Sequence, residues 1–229
     1  MATIPRLLPY VLILLAQAAT ALAGACGDDV GGQRVACACG DVVVSDVRLQ
    51  RSDPVVGGPC SDDGLIVDAV RGTDSVTVDL AGLSLIGGGS GIGVHVRDGG
   101  AEGAYLIGGP DGRPGQVAGF RVGVSARSTR GLRAAANLIV SGNEQDGLQL
   151  SGRSATIAGV LADENGRSGI VARGRDHTLD GVAARNNGHH DLRVSGNGHF
   201  VAADETTASD GSNRVTGRGN VVTGTEVER

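Results

Sequence analysis

Four cysteines, Cys26, Cys37, Cys39 and Cys60, are the residues whose chemistry follows most directly from their type and spacing. An even number of cysteines behind an export signal (residues 1–23) is typical of disulfides formed in an oxidising compartment. A zinc site would use the C-x-C pair at the second and third cysteines. No histidine lies near that pair in sequence, and no further C-x-C or C-x-x-C follows. The pattern therefore favours two disulfides over a metal site.

Histidines offer a second possible chemistry. His177 and His199 differ in position by the length of one sequence repeat, and His189 and His190 are adjacent. A metal ion would need at least a third ligand, for which Asp176 is the obvious nearby acid. A polar edge that titrates near neutral pH is the simpler interpretation. We therefore predict no metal site and no cofactor.

Residues 1–23 have the features of a signal peptide. Arg6 is the only charged residue before the apolar run LLPYVLILLAQAATALA, and the closing Ala-x-Ala predicts cleavage before Gly24. The apolar core at 7–16 is short for a membrane span and is interrupted by Pro9. We expect a secreted, periplasmic or cell-envelope protein without a stable membrane span after cleavage.

Composition favours a stack of repeats. The chain has 40 Gly, two Tyr, two Phe and no Trp, whereas a globular core is normally built around some large rings. The net charge is −5, and every basic residue is an arginine placed singly among acids. No basic stripe interleaved with aromatic residues is present, so the sequence predicts no nucleic-acid partner.

A repeat of about 22 residues dominates the region between positions 138 and 196. The segments LIVSGNEQDGLQLSG, VLADENGRSGIVARG and VAARNNGHHDLRVSG align without gaps. Four columns recur together: Asn143, Asn165 and Asn187; Leu148, Ile170 and Leu192; Leu150, Ala172 and Val194; Gly152, Gly174 and Gly196. Each unit holds three apolar pieces of two to four residues, too short for helices. They predict coils of three short strands, stacked about 4.8 Å apart around an aliphatic core.

The asparagine column predicts a structural ladder at a corner of the coil. Each Asn amide can bond the backbone of its own turn and the Asn of the next coil. Asp163 and Arg185, also one period apart, are expected to face one another across adjacent strands.

The repeat also predicts the organisation of the chain. Strand starts at 63–67, 92–96 and 122–126 are about 30 residues apart, which indicates coils that carry turn insertions. The expected segments are a signal peptide at 1–23, a disulfide-bearing cap and first coil at 24–60, a parallel β-helix at 61–204 with a turn insertion near 98–116, and a C-terminal coil or polar tail at 205–229.

Coil spacing bears on the disulfide pairing. The separation of Cys39 from Cys60 is 21 positions, close to one coil, so Cys60 would return beside Cys39 and leave Cys26 for Cys37. The arrangement 37–60 with 26–39 has a separation of 23 and fits almost as well. The third connectivity would join Cys37 to Cys39 in a strained small ring.

The strand starts G-[ILV]-x-[ILVA], the Asn five residues before the aliphatic position and the Asn-Gly spacers resemble those of pectate-lyase-like proteins. The segment CACGDVVV at 37–44 is similar to the disulfide-bearing N-terminus of an uncharacterised exported subgroup. The resemblance covers most of the chain after residue 23 and implies an all-β, single-stranded right-handed parallel β-helix. It is unspecific for function, because such folds include lyases, hydrolases, epimerases and adhesins.

Enzymes of this family would act on acidic polysaccharides, using carboxylates to hold Ca²⁺ and an Arg or Lys as base, or close Asp residues as acid and base. In the register of the repeat Asp163 falls beside Arg185 and Asp146 beside Ser168, and no adjacent positions of one column both carry acids. The SDD string at 61–63 lies in the cysteine-bearing segment. We expect the acids of this string, and those of GDD at 27–29, to lie in solvated turns, and we assign no catalytic residue.

A non-catalytic surface that binds extracellular polysaccharide or an envelope component is the expected function. The alternative is a lyase or hydrolase acting on acidic glycans. Sugar-binding surfaces commonly present aromatic rings, and the rings after residue 23 are Tyr105, Phe120 and Phe200. Tyr105 lies in the expected insertion near 98–116, which makes that region the first place to look for a binding surface.

Overall fold

The structure, a computed structural model, describes residues 24–69, 75–110, 112–127, 131–207 and 213–224. The predicted signal peptide and parts of the predicted C-terminal tail lie outside the described residues. Within these ranges the regular structure is strand apart from a short 3-10 helix at Pro54–Val56. None of the described helices is long and apolar enough to cross a membrane.

The strands of the described residues are, in chain order, β1 (Ala25–Cys26), β2 (Asp41–Val43), β3 (Val47–Arg48), β4 (Leu65–Asp68), β5 (Ser75–Asp79), β6 (Ser84–Ile86), β7 (Ile92–Asp98), β8 (Gly103–Ile107), β9 (Gly115–Ala118), β10 (Val122–Ala126), β11 (Leu132–Ser141), β12 (Leu148–Arg153), β13 (Thr156–Asp163), β14 (Ser168–Arg175), β15 (Thr178–Arg185), β16 (His190–Asn197), β17 (Phe200–Thr207), β18 (Arg214–Thr216) and β19 (Val221–Gly224).

These strands form two parallel sheets. Sheet 1 has the order β1-β2-β4-β7-β10-β12-β14-β16-β18, and sheet 2 has the order β3-β5-β8-β11-β13-β15-β17-β19. Strands β6 and β9 extend sheet 2, because β9 pairs with both β6 and the second half of β11. From β10 onward the chain alternates between the sheets strand by strand. This all-β arrangement of stacked parallel strands is compatible with a β-helix.

The period of the sequence repeat appears directly in the pairing. Leu148 pairs with Ile170 and then Leu192 in sheet 1, and Asp163 pairs with Arg185 in sheet 2. The expectation of three separate strands per coil is wrong in this region, where each coil has two. The second and third pieces form one bent strand, because the chain turns at one residue and keeps its ladder on both sides of the bend.

Three corners per coil nevertheless exist, and each is a column of residues with positive φ. The first corner contains Gly142, Glu164 and Asn186, the second contains Ser154, Asp176 and Gly198, and the third, inside the bent strand, contains Asn137, Gly159 and Gly181, with φ between 54° and 70°. Side chains other than Gly, Asn and Asp rarely adopt this conformation. Its recurrence once in every coil fixes where the coil changes direction.

Small aliphatic side chains fill the space between the sheets. The columns Leu148–Ile170–Leu192 and Leu150–Ala172–Val194 from sheet 1 face Ile157–Leu179–Val201 from sheet 2, all at most 2% exposed. Complete burial of a Leu, Ile or Val side chain stabilises by about 1.5–3 kcal/mol. Phe120 is the one large ring in this core among the described residues, and it is fully buried.

A ladder of buried asparagines follows the first corner. The Nδ2 of Asn143 donates to Oδ1 of Asn165 over 2.8 Å, and the Nδ2 of Asn165 donates to Oδ1 of Asn187 over 2.9 Å. The same two oxygens accept the backbone N–H of Asn143 and Asn165. The ladder ends at Asp191, whose Oδ1 accepts from the Nδ2 of Asn187 over 2.8 Å.

Two disulfides close the N-terminal cap. Cys26 bonds to Cys37 and Cys39 bonds to Cys60, with Cα separations of 5.1 and 5.5 Å. This is the pairing in which the second disulfide spans one coil. Beside them the buried carboxylate of Asp53 accepts hydrogen bonds from Arg34 at 2.8 and 2.9 Å.

The segment 98–116 is partly regular structure. Strand β8 occupies 103–107 and β9 begins at 115, and both pair with the long strand β11. Tyr105 therefore lies on strand β8.

Candidate functional site

A groove of about 380 Å³ opens on the outer surface at the second corner. Its lining includes Glu102, Gly103 and Tyr105 from β8 and the residues before it, Arg133 from β11, and Arg153 from the end of β12. Three different coils thus contribute to it. The groove is mainly polar at its rim, with one aromatic ring.

The strand alternation places the Tyr105 ring outside. Ala104 and Leu106 point into the core and are each 1% exposed, so the residue between them must face outward. Tyr105 is half-buried. Its partners in adjacent strands are Thr77 and Ala134, whose small side chains leave the ring partly accessible.

Close backbone approach at Gly103 positions the basic side of the groove. Its φ is +90°, and a Cβ there would lie 2.9 Å from the carbonyl oxygen of Gly131 and 3.2 Å from the Cβ of Arg133. Only glycine allows β8 to start this close to β11. Arg133 is exposed, and its Nη1 donates to the carbonyl of Ser154 over 3.0 Å, which directs the guanidinium toward the second corner.

A second arginine lies beside Arg153 in the next coil of the stack. It pairs in register with Arg175 on the adjacent strand, and both side chains are exposed. Like charges directly opposite one another in a sheet repel. Within the described ranges neither guanidinium forms an ion pair with a carboxylate. An anion bound across these two side chains would relieve the repulsion and accept bidentate hydrogen bonds.

A separate polar group lies on the outer face of sheet 1. The Nδ1 of His95 is 3.8 Å from Oδ2 of Asp63, whose Oδ1 accepts the N–H of Ile92 over 2.7 Å. Burial lowers the pKa of His95, and the positive charges of Arg97 and Arg127 lower it further, while Asp63 opposes the shift. The imidazole is therefore neutral near pH 7 and able to accept a proton.

The same face continues into a chain of hydrogen bonds. Arg127 donates through Nε to Oε1 of Gln149 over 3.0 Å, and Gln149 donates to Asp146. The other carboxylate oxygen of Asp146 accepts the N–H of Ser168 over 3.1 Å. Asp146 is only 5% exposed. Its two carboxylate oxygens accept hydrogen bonds from Gln149 and from the backbone of Ser168.

The histidines and aromatic rings have environments that the sequence did not predict. His177 and His199 do stack, but each is 1% exposed, so the pair lies inside the second corner and does not form a polar edge. Phe120 is buried and unable to contact a glycan, whereas Phe200 is 39% exposed. Among the residues described, no group of three or more His, Cys, Asp or Glu is placed to hold a metal ion.

The basic pair was not predicted, although the repeat contains the signal for it. Arg153 and Arg175 occupy equivalent positions of consecutive coils, so the period that aligns the asparagines also predicts their contact. Tyr105 and Arg133 belong to coils of unequal length, and their separation is not a multiple of the period. No periodic signal brings those two together.

Comparison with known proteins gave no match. No protein-family model matches the chain, and no curated protein or solved structure is significantly similar to it. Functional inference therefore depends on the geometry of the groove and of the His95 group.

Proposed function

We propose that this protein is an exported β-helix that binds an acidic polysaccharide of the cell surface or surroundings, without cleaving it, through the groove at the second corner. The observation that carries the proposal is the combination of one partly accessible aromatic ring with the guanidinium groups of Arg133 and Arg153 around a single groove.

Each component matches a feature of a uronate-containing polymer. A tyrosine ring offers an apolar face with a polar tip, which suits the face of a pyranose. A guanidinium holds a carboxylate bidentately and stays charged at all physiological pH values. The register of Arg153 with Arg175 repeats the positive charge from one coil to the next, which suits a ligand whose negative charge also repeats.

The finer description of the fold and location belongs to the same proposal. We take the stacked sheets as a single-stranded right-handed β-helix of the pectate-lyase-like type, on the sequence resemblance and the strand alternation. Export is supported by the two disulfides, which persist in oxidising compartments, and by the signal-like residues 1–23.

Binding of polygalacturonate and alginate, compared with neutral dextran, tests the proposal by isothermal titration calorimetry on the chain after residue 23. Arg153→Ala should weaken binding of the acidic polymers about tenfold or more, since a hydrogen bond to a charged group contributes about 1.5–3 kcal/mol. Tyr105→Ala should weaken it comparably. Raising NaCl should reduce the affinity of the unaltered protein, because salt screens charge pairing.

Arg51→Ala is the matched control, since it removes the same charge from an exposed loop of the N-terminal cap and should leave affinity unchanged. Equal affinity for dextran and for the uronates would refute the proposal. So would equal losses in the Arg51 and Arg153 variants, which would show that net charge alone matters.

A lyase is the second candidate, favoured by the Asp63–His95 pair beside Arg97 and Arg127. In β-elimination a base removes the proton next to a uronate carboxylate, and a positive group neutralises that carboxylate. The glycosidic C–O bond on the neighbouring carbon then breaks, a C=C bond forms, and the departing oxygen takes up a proton. The neutral imidazole of His95 could serve as the base and an arginine as the neutralising group. Incubation with uronate polymers, with and without Ca²⁺, should then give unsaturated products that are lost in His95→Gln. Intact polymer after prolonged incubation would reject this candidate.

A further inference from the structure

A second buried ladder runs through the second corner, made of histidines in place of asparagines. The rings of His177 and His199 are stacked with centroids 5.1 Å apart and planes 11° from parallel. Both residues are 1% exposed. Asn220 occupies the next rung, one coil further on.

Every rung accepts a backbone N–H from the coil before it. Nδ1 of His177 accepts from Ala155 over 3.1 Å, and Nδ1 of His199 accepts from the N–H of His177 over 3.2 Å. The N–H of His199 in turn donates to Oδ1 of Asn220 over 3.0 Å. These bonds tie successive second corners together.

Every rung also donates to a carbonyl four residues earlier. Nε2 of His177 is 3.0 Å from the carbonyl oxygen of Arg173, and Nε2 of His199 is 3.3 Å from that of Ser195. An imidazole that accepts at Nδ1 and donates at Nε2 is the neutral Nε2–H tautomer. A second proton would reside on Nδ1 and point at a backbone N–H, so the charged form fits neither rung.

Charged groups surround the corner on several elements. Asp176 lies between the two strands that meet there, and its carboxylate raises the pKa of both rings. The neighbouring cations are Arg133 on β11, Arg153 on β12, Arg173 and Arg175 on β14, and Arg218 before β19. Burial is the largest effect and lowers the pKa of both histidines, and each carbonyl acceptor partly opposes it.

We propose that this histidine ladder is an acid-sensitive clasp: protonation of Nδ1 on either ring breaks the bond from the preceding coil and opens the second corner between β12 and β19. The device depends on two features acting together. First, the Nδ1 acceptor of each ring faces a backbone N–H that has no alternative acceptor in the ladder. Second, the two imidazoles are stacked, so two positive charges on them would repel at short range.

The direction of the pH effect follows from linkage. The folded-state pKa of each ring lies below the unfolded value of about 6.5, so the unfolded chain binds protons first on acidification. The ladder is intact above about pH 6.5 and weakens as the pH falls from there toward the folded-state pKa. Each pKa unit of depression corresponds to about a tenfold change in the opening equilibrium.

Asn220 supplies the matched substitution. Its Oδ1 accepts from the N–H of His199, and its Nδ2 donates to the carbonyl of Thr216, four residues earlier, over 3.3 Å. An amide therefore makes the same pair of bonds as the imidazoles without titrating near neutral pH. The double variant His177→Asn with His199→Asn keeps the ladder and removes its sensitivity to acid.

Hydrogen–deuterium exchange of the folded protein at pH 7.5 and pH 5.0, corrected for intrinsic rates, tests the proposal. The amides of Ala155 and His177 should lose protection at pH 5.0, by about tenfold per unit of pKa depression. The amide of Asn143, which donates to a non-titrating Asn165 in the first corner, is the internal control and should keep its protection. In the double variant the second-corner amides should keep theirs as well.

Equal protection of Ala155 at the two pH values in the unaltered protein would overturn the proposal. A drop that persists in the folded double variant would also overturn it, because the cause would then lie elsewhere. If the double variant does not fold, NMR titration of the imidazole Cε1–H signals in the unaltered protein decides the question. Midpoints below about 6.5 support the clasp, and midpoints at or above that value reject it.

Discussion

Replacing Asn165 by alanine removes the central rung of the first-corner ladder. Its Oδ1 accepts both the Nδ2 and the backbone N–H of Asn143, at 2.8 and 3.2 Å. Its Nδ2 donates to Oδ1 of Asn187 and to the carbonyl of Val140, at 2.9 and 3.0 Å. Asn165 is 1% exposed, so water has little access to the groups that lose their partners.

The size of the effect follows from which groups are left unpaired. The two donors of Asn143 lose their acceptor, and only Nδ2 has another, the carbonyl of Val117 at 3.4 Å. Oδ1 of Asn187 still accepts the backbone N–H of residue 165. One unsatisfied buried donor costs about 1–3 kcal/mol, so we expect Asn165→Ala to destabilise the protein by about that amount.

Urea unfolding followed by circular dichroism and by proteolysis measures this loss, with two probes because stacked coils can unfold in parts. Asn197→Ala is the control, since that exposed amide accepts a single surface hydrogen bond from Arg218 and its loss should cost about 0.5 kcal/mol. If Asn165→Ala unfolds at the same urea concentration as the control, the asparagine ladder does not stabilise the fold by pairing these buried groups.

Three further outcomes are expected. Replacing Cys39 and Cys60 by alanine should lower stability by about 3 kcal/mol, the chain-entropy value for a loop of this size, and unchanged melting would contradict it. Adding NaCl to about 1 M should barely affect the melting temperature, because the Asp163–Arg185 pair is partly exposed and contributes at most about 1 kcal/mol. Burial raises the pKa of Asp191, so stability is lost as the pH rises from the unfolded pKa of about 3.9 through the folded-state pKa. The stability gained by Asp191→Asn should therefore be largest above that pH range. A gain in stability found only at acidic pH would contradict the raised pKa of Asp191.

The period of the repeat predicted most of the side-chain contacts between equivalent positions of adjacent coils. Asn143 and Asn165, Asp163 and Arg185, and the two buried histidines all meet their partners one coil away, because parallel strands in register place equal positions side by side. Burial was harder to predict. A column of histidines has the same sequence pattern whether it lies inside or outside a corner. In the structure His177 lies inside, directly after the positive-φ residue Asp176.

The groove could not be predicted from the repeat, because its residues do not share a column. Tyr105, Arg133 and Arg153 come from coils of different length, and they meet where the chain between β7 and β10 departs from the regular period. The groove lies at this irregular position, where side chains from different columns come together. The regular repeat therefore predicts the stacked strands, and the proposed binding groove lies where the repeat is irregular.

The glycine column and the asparagine column depend on each other sterically, and the exception at Asp191 shows the reason. A Cβ at Gly147 would lie 2.8 Å from the Nδ2 of Asn165, and a Cβ at Gly169 would lie 2.6 Å from the Nδ2 of Asn187. Each glycine thus leaves room for the asparagine of the following coil. The next member of the asparagine column, residue 209, is a serine. In the coil before it, Asp191 replaces the glycine, and its side chain occupies the ladder and supplies the last acceptor. The change from Gly to Asp therefore marks the end of the ladder, where an acceptor must come from the same coil.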